Sequence, residues 1–152
     1  MEVRHIPVLY RETIDALRPM EGGRYIDCTL GAGGHAEAIL EASGSQSRLL
    51  GMDADPEALA VARERLAGYG DRVTLVNSNF RHLAVVAAEA GFVPADGVLM
   101  DLGMSSMQLD RWTRGFSFQR EAPLDMRFDP RQQVTAADIV NGASEAELKK
   151  ML

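Results

Sequence analysis

Cysteine is nearly absent: the 152-residue chain has one, Cys28. A single thiol builds neither a disulfide framework nor a zinc site of paired cysteines. Aromatic residues are scarce as well, at 6%, and no apolar run approaches the roughly 20 residues that a membrane span requires. The opening residues Met1-Glu-Val-Arg-His-Ile-Pro7 lack the apolar segment and small-residue cleavage site of a secretory leader. The three histidines, His5, His35 and His82, have none of the spacing of a metal site, so no metal is expected. These absences point to a cytoplasmic globular protein without membrane attachment.

Hydrophobic residues make up 46% and charged residues 25%, the range of an ordinary soluble domain, and the length suits a single core. A net charge of −6 argues against a broadly basic nucleic-acid binder, but the charge is unevenly spread. Residues 1–110 carry 9 basic against 16 acidic side chains. Residues 111–131 reverse the balance, with Arg111, Arg114, Arg120, Arg127 and Arg131 against Glu121, Asp125 and Asp129. The same stretch holds Trp112, Phe116, Phe118 and Phe128. An acidic body with a basic, aromatic segment suits an enzyme that takes a cationic cofactor and an anionic substrate.

Short apolar runs alternate with longer helical patterns, which predicts a βαβαβ succession and a parallel sheet covered by helices. Strands are expected over Tyr25–Cys28, Leu49–Asp53, Val73–Val76 and Val98–Asp101. Helices are expected from His35 to Ala42, from Pro56 to Leu66 and over Leu83–Ala90. Proline favours the first helical turn, which marks the start at Pro56. Residues 102–133 hold no sustained period, and so long an irregular stretch points to a functional loop. A short helix fits Thr135–Val140, and Ser144-x-x-Glu147 reads as a capping box opening another. That last pattern reaches Leu152 without a stop signal, as if the chain were cut there.

Three features are expected at the carboxyl ends of strands, where open α/β sheets bind ligands. The first is the turn Asp27-Cys-Thr-Leu-Gly31-Ala-Gly33-Gly34-His35, whose glycines let a backbone approach a ligand closely. The second is Asp53, 22 positions beyond Gly31, placed to accept hydrogen bonds from ribose hydroxyls. Asp55 in Asp53-Ala-Asp55-Pro56 suits a helix cap. Gly31-x-Gly33-x-x-Ala36 also satisfies the dinucleotide fingerprint, so a nicotinamide or flavin site has to be weighed. Asp27 and Asp101 would repel a diphosphate, yet they suit a ligand bearing an ammonium and a sulfonium. S-adenosylmethionine carries both, along with a ribose for Asp53. Phe80, just beyond the third strand, has a ring suited to adenine or equally to a core.

The third feature is Asp101-Leu-Gly-Met-Ser105-Ser-Met-Gln108-Leu-Asp110. An aromatic amine is a poor nucleophile because its lone pair is delocalised into the ring. An acceptor that holds the amine hydrogens leaves that lone pair aimed at a methyl donor, through positioning and electrostatics together. Asp101 suits that catalytic role, and it equally suits holding the cofactor.

The run Asp101–Asp110, followed by Arg114-Gly-Phe-Ser-Phe118 and Pro123-Leu-Asp-Met-Arg127, resembles the bacterial 16S rRNA cytosine-N4 methyltransferases, the MraW family. His5-Ile-Pro-Val-Leu9 and Gly33-Gly34-His35 match as well, and the resemblance runs in order along the whole chain. It implies an α/β, Rossmann-like class I S-adenosylmethionine-dependent methyltransferase fold. It further implies N4-methylcytidine as product, in the decoding region of 16S rRNA within the small ribosomal subunit. Matched position by position, the family's cofactor contacts fall on Gly33, Gly34, His35, Asp53, Phe80, Asp101 and Gln108. Residues 111–131 would face the substrate, with Arg114 and Arg127 on phosphates and Phe116 stacked on a base. Arg127 also has Asp125 and Asp129 within easy reach as ion-pair partners.

Family members are about twice as long and insert a helical substrate domain before finishing the sheet. The resemblance thus divides the chain into a partial cofactor-binding core, 1–110, and a loop with the start of the insertion, 111–152. The fourth strand would keep an unpaired edge at Val98–Leu102, which invites association, a homodimer included. Two other readings stand beside the complete enzyme. One is a truncated module that binds the methyl donor and transfers nothing; the other is a dinucleotide-binding domain of an oxidoreductase.

Overall fold

Successive residues of a strand face opposite sides of a sheet, and the apolar strands of this protein use both sides. In the computed structural model, which describes residues 8–151, four parallel strands form one sheet in the order β3-β2-β1-β4. They are β1 (Arg24–Asp27), β2 (Arg48–Asp53), β3 (Val73–Asn77) and β4 (Gly97–Leu99). Tyr25 and Leu49 project to one face, where they pack with Ala36, Ile39 and Leu40 of α2 (Gly34–Ala42) and with Leu59 and Ala62 of α3 (Pro56–Arg65). Their neighbours Ile26 and Leu50 turn to the other face, with Met52, Cys28, Phe92 and Ala87 of α4 (Leu83–Glu89). Asp27 and Asp53 have the parity of Tyr25 and Leu49, so both carboxylates leave the sheet on the α2 side.

All four expected strands and the three expected helices of this region are present, with ends displaced by one or two residues. The largest displacement is at β4, which stops at Leu99 and leaves Asp101 two residues past the strand. Asp55 caps α3 by accepting a hydrogen bond from Glu57 N–H at 3.0 Å, with Pro56 in the first turn. An additional helix precedes the sheet: α1 (Tyr10–Leu17) lays Ile14 and Leu17 against the α2-side core. The motif residues His5, Ile6 and Pro7 lie outside the described residues. β4 is an edge strand, and Val98, Met100 and Leu102 are exposed along it and just beyond.

The chain divides into two compact units, one through Leu102 and one from Gly103 onward. The second contains α5 (Ser106–Asp110), α6 (Ala136–Gly142) and α7 (Glu145–Met151), joined by a long loop with little regular structure. Each helix starts on a reciprocal side-chain cap: Ser105 with Gln108, Thr135 with Asp138, and Ser144 with Glu147.

Candidate functional site

The carboxyl ends of β1 and β2 carry an acidic cluster that the residue beyond β4 extends. Asp27 closes β1 and is 1% exposed. Its Oδ1 accepts a hydrogen bond from Thr29 N–H at 3.1 Å, while Oδ2 is buried with no hydrogen-bond partner among the described residues. Burial pushes this carboxyl from 3.8 up to about 7; the Thr29 N–H opposes the rise, and the charges of Asp53 and Asp101 add to it. Thr29 has a second task, its hydroxyl oxygen accepting the backbone N–H of Asp101 at 2.8 Å. One threonine thereby ties the end of β1 to the segment leaving β4.

Asp53 closes β2 and holds the glycine turn across the sheet. Its Oδ2 accepts Gly31 N–H at 2.8 Å and its Oδ1 accepts Asp55 N–H at 2.8 Å. Burial raises this carboxyl above the usual range, against those two backbone bonds. Asn77, paired with Asp53 in the β2–β3 register, donates through Nδ2 to the carbonyls of Asp53 and Ala54 at 2.8 and 3.1 Å. Gly31 and Gly33 both adopt positive φ, 53° and 80°. At Gly33 an added Cβ would meet Leu66 Cδ1 at 3.3 Å and Ala62 Cβ at 3.4 Å. This glycine therefore serves the packing of α2 on its neighbour as well as the turn.

His35, in the first turn of α2, is 7% exposed. Its Nε2 lies 3.6 Å from Asp101 Oδ2, and its buried Nδ1 has no partner among the described residues. Burial lowers its pKa below 6.5 although Asp101 pulls the other way, so the ring is neutral at pH 7. The Asp101 side chain is 59% exposed and open to a ligand. Phe80 opens the short turn after β3, capped by Asn79, with its side chain 41% exposed.

The first unit thus holds Gly33, Gly34, His35, Asp53, Phe80 and Asp101 at the strand ends and in the turns that follow them. Gln108 belongs to the second unit, where its side-chain oxygen accepts Ser105 N–H at 3.1 Å. Arg114 donates to the carbonyls of Arg127 and Phe128 at 2.6 and 2.8 Å. Arg127 pairs with Asp125 at 2.7 Å and reaches the carbonyls of Pro130 and Gln132. Both arginines are loop braces as they stand. Phe116 is 5% exposed, edge-on to Phe128 at 5.3 Å, and so offers no open ring face. Phe118, 99% exposed, stands fully in solvent, and Trp112 is half-exposed. Among the described residues no group of three or more His, Cys, Asp or Glu side chains is placed to hold a metal ion.

Sequence reasoning passed over Thr29 and Asn77. The signal for Thr29 was its place between Asp27 and Gly31; for Asn77 it was a side-chain amide at a strand end, level with Asp53 in the sheet. The charge of Asp27 is legible in the sequence, but its complete burial follows only from packing.

Residues 2–152 match the MraW methylase family. The chain is 55% identical over 152 residues to the ribosomal RNA small subunit methyltransferase H of Dehalococcoides mccartyi, covering all of this chain and 44% of that protein. It is 53% identical over 152 residues to the protein of the same name from Symbiobacterium thermophilum, covering all of this chain and 48% of that one. The chain thus spans less than half the length of these relatives. Among solved structures, NSun6 from Pyrococcus horikoshii, crystallised with SFG, superposes with a TM-score of 0.54 at 23% identity, over 63% of this chain and 24% of that one. That likeness concerns the fold. By the match along its length, the chain is a member of the MraW methylase family.

Proposed function

We propose that this chain is the cofactor-binding part of an S-adenosylmethionine-dependent methyltransferase that modifies 16S rRNA of the small ribosomal subunit. The acceptor in this reading is the exocyclic N4 amine of a cytidine in the decoding region. The observation that carries the cofactor half is the convergence of Asp27, Asp53 and Asp101, with one buried Asp27 oxygen unpartnered. Such a surface repels a diphosphate and welcomes a ligand with ammonium and sulfonium charges, which speaks against a dinucleotide. S-adenosylmethionine, when bound, supplies an activated methyl group.

The chain's own residues then divide the work. Asp53, anchored by Gly31 and Asp55, keeps lone pairs available for ribose hydroxyls. Phe80 offers a ring face to adenine, while Gly33, Gly34 and His35 border the acidic end. Asp101 is the exposed carboxylate, held by its main chain to Thr29, and it accepts a hydrogen of the amine and orients the lone pair. The RNA half of the reading rests on the relatives' name and on the motif resemblance at 101–127. In the second unit, Arg114 and Arg127 shape the substrate loop from within, and Phe118 is the residue that stacks on an unpaired base. In this reading the protein works on ribosomal subunits in the cytoplasm. The open edge of β4 is the surface on which a homodimer would form.

Titration calorimetry with S-adenosylmethionine and with a nicotinamide dinucleotide tests the first half; heat from the former alone is expected. Transfer of labelled methyl groups to 30S subunits that lack the modification, followed by mapping of the labelled nucleotide, tests the second. Label on a base other than cytidine would overturn the assigned acceptor.

A further inference from the structure

Asp27 is the buried group whose surroundings are most at odds with its charge. One oxygen accepts a backbone hydrogen bond from Thr29, whose hydroxyl also favours the charged form, and the other has no partner among the described residues. The charged groups that face it are acidic: Asp53 from the end of β2 and Asp101 from the segment after β4. The adjacent Cys28 thiol is pushed up to about 11 by burial, with Asp27 adding to the rise, so it is neutral at pH 7. His35 contacts Asp101, and burial holds its ring neutral as well. An ionised Asp27 would therefore have neither water nor a countercharge to stabilise it. A cation brought into the cluster supplies that countercharge.

We propose that Asp27 carries a proton in the unliganded protein and releases it to solvent when S-adenosylmethionine binds, so that donor capture and proton loss are one linked event. This inference rests on the cofactor reading above. Its balance is simple: the O–H bond at Asp27 breaks, the proton passes to buffer, and no other bond changes. The site becomes more negative by one charge as it receives a cationic ligand. Selectivity follows, because a neutral nucleoside of similar shape gives Asp27 no reason to ionise. The displacement of the carboxyl to about 7 puts the exchange within reach of ordinary solution conditions.

Calorimetric titration of the whole chain with S-adenosylmethionine at pH 6, in buffers of different ionisation heat, counts the protons. The ligand's own amine stays charged at that pH, so it contributes none. About 0.9 proton per donor is expected to leave, with affinity rising roughly eightfold between pH 5.5 and 6.5. Adenosine, which lacks both cationic groups, is expected to release none. Asp27→Asn should abolish the release, whereas His35→Asn should retain it, which assigns the proton to the carboxyl. Should Asp27→Asn fail to fold, the proton count of the unmodified chain and the adenosine comparison still decide. Donor binding with fewer than about 0.2 proton released would overturn the inference while leaving the cofactor reading intact. Absence of donor binding at every pH would overturn both.

Discussion

The two units are held together by different physics. Through Leu102, stability comes from apolar side chains packed on both faces of a parallel sheet, with Ile39, Leu49, Leu50 and Met52 wholly removed from water. From Gly103 onward, Phe116 and Gln108 are the buried side chains among those whose burial is described. That unit relies on reciprocal helix caps, arginine–carbonyl bonds and the Arg127–Asp125 pair. A packed sheet gives its strand ends fixed positions, which lets it keep three carboxylates close together. A loop braced by polar bonds has less apolar packing to lose and more dependence on charge. The unit with the larger core is the one that bears the electrostatically unfavourable cluster.

This contrast is most directly broken by cutting into the apolar core. Ile39→Ala empties space between α2 and the sheet and should lower unfolding free energy by about 2–5 kcal/mol, measured by chemical denaturation. A loss below 1 kcal/mol would mean that packing on this face is not what holds the first unit. Asp27→Asn should act in the opposite direction. The folded protein holds this carboxyl near 7 against 3.8 for an ordinary aspartate, so its stabilising contribution is complete below about pH 4 and is lost as pH rises through about 7. The asparagine variant should therefore be the more stable protein at pH 8, by at most about 4 kcal/mol, with the advantage vanishing near pH 4. Equal melting profiles across that range would remove Asp27 from the cluster's cost.

The smallest effect is expected in the second unit. Arg127→Ala should speed amide hydrogen exchange around 124–137 and leave protection of β1 and β2 unchanged. Arg127 holds the Asp125 carboxyl down near 2, so the brace is complete above about pH 4 and loosens as pH falls toward 2. Acidification of the unmodified chain should reproduce the same local change. Equal acceleration in both units would erase the distinction between them.

How much of this was legible beforehand follows the same division. Short continuous apolar runs with glycine and proline punctuation located β1 to β3 within a residue, because burial on two sheet faces leaves a continuous signature. The capping box at Ser144 was readable because its contacts are local in sequence. The α1 helix was not, since its anchoring residues Ile14 and Leu17 acquire meaning only against a core formed later in the chain. The Thr29–Asp101 bond joins residues 72 apart, and no local pattern announces it. The family resemblance implies substrate contacts at Arg114 and Phe116, yet an arginine facing carbonyls and one facing phosphates look alike in sequence. Only packing separates Phe116, turned inward, from Phe118, turned outward.

Asp53 divides its two oxygens between the glycine turn and the start of α3. An amide in its place would have one acceptor to offer where two donors wait, and its NH2 would confront one of those N–H groups head-on. Asn is thus no gentle replacement at this position: either the loop after the first strand or the helix after the second must let go. The proposed nucleoside site and the local backbone that frames it are, at this one side chain, a single mechanical part.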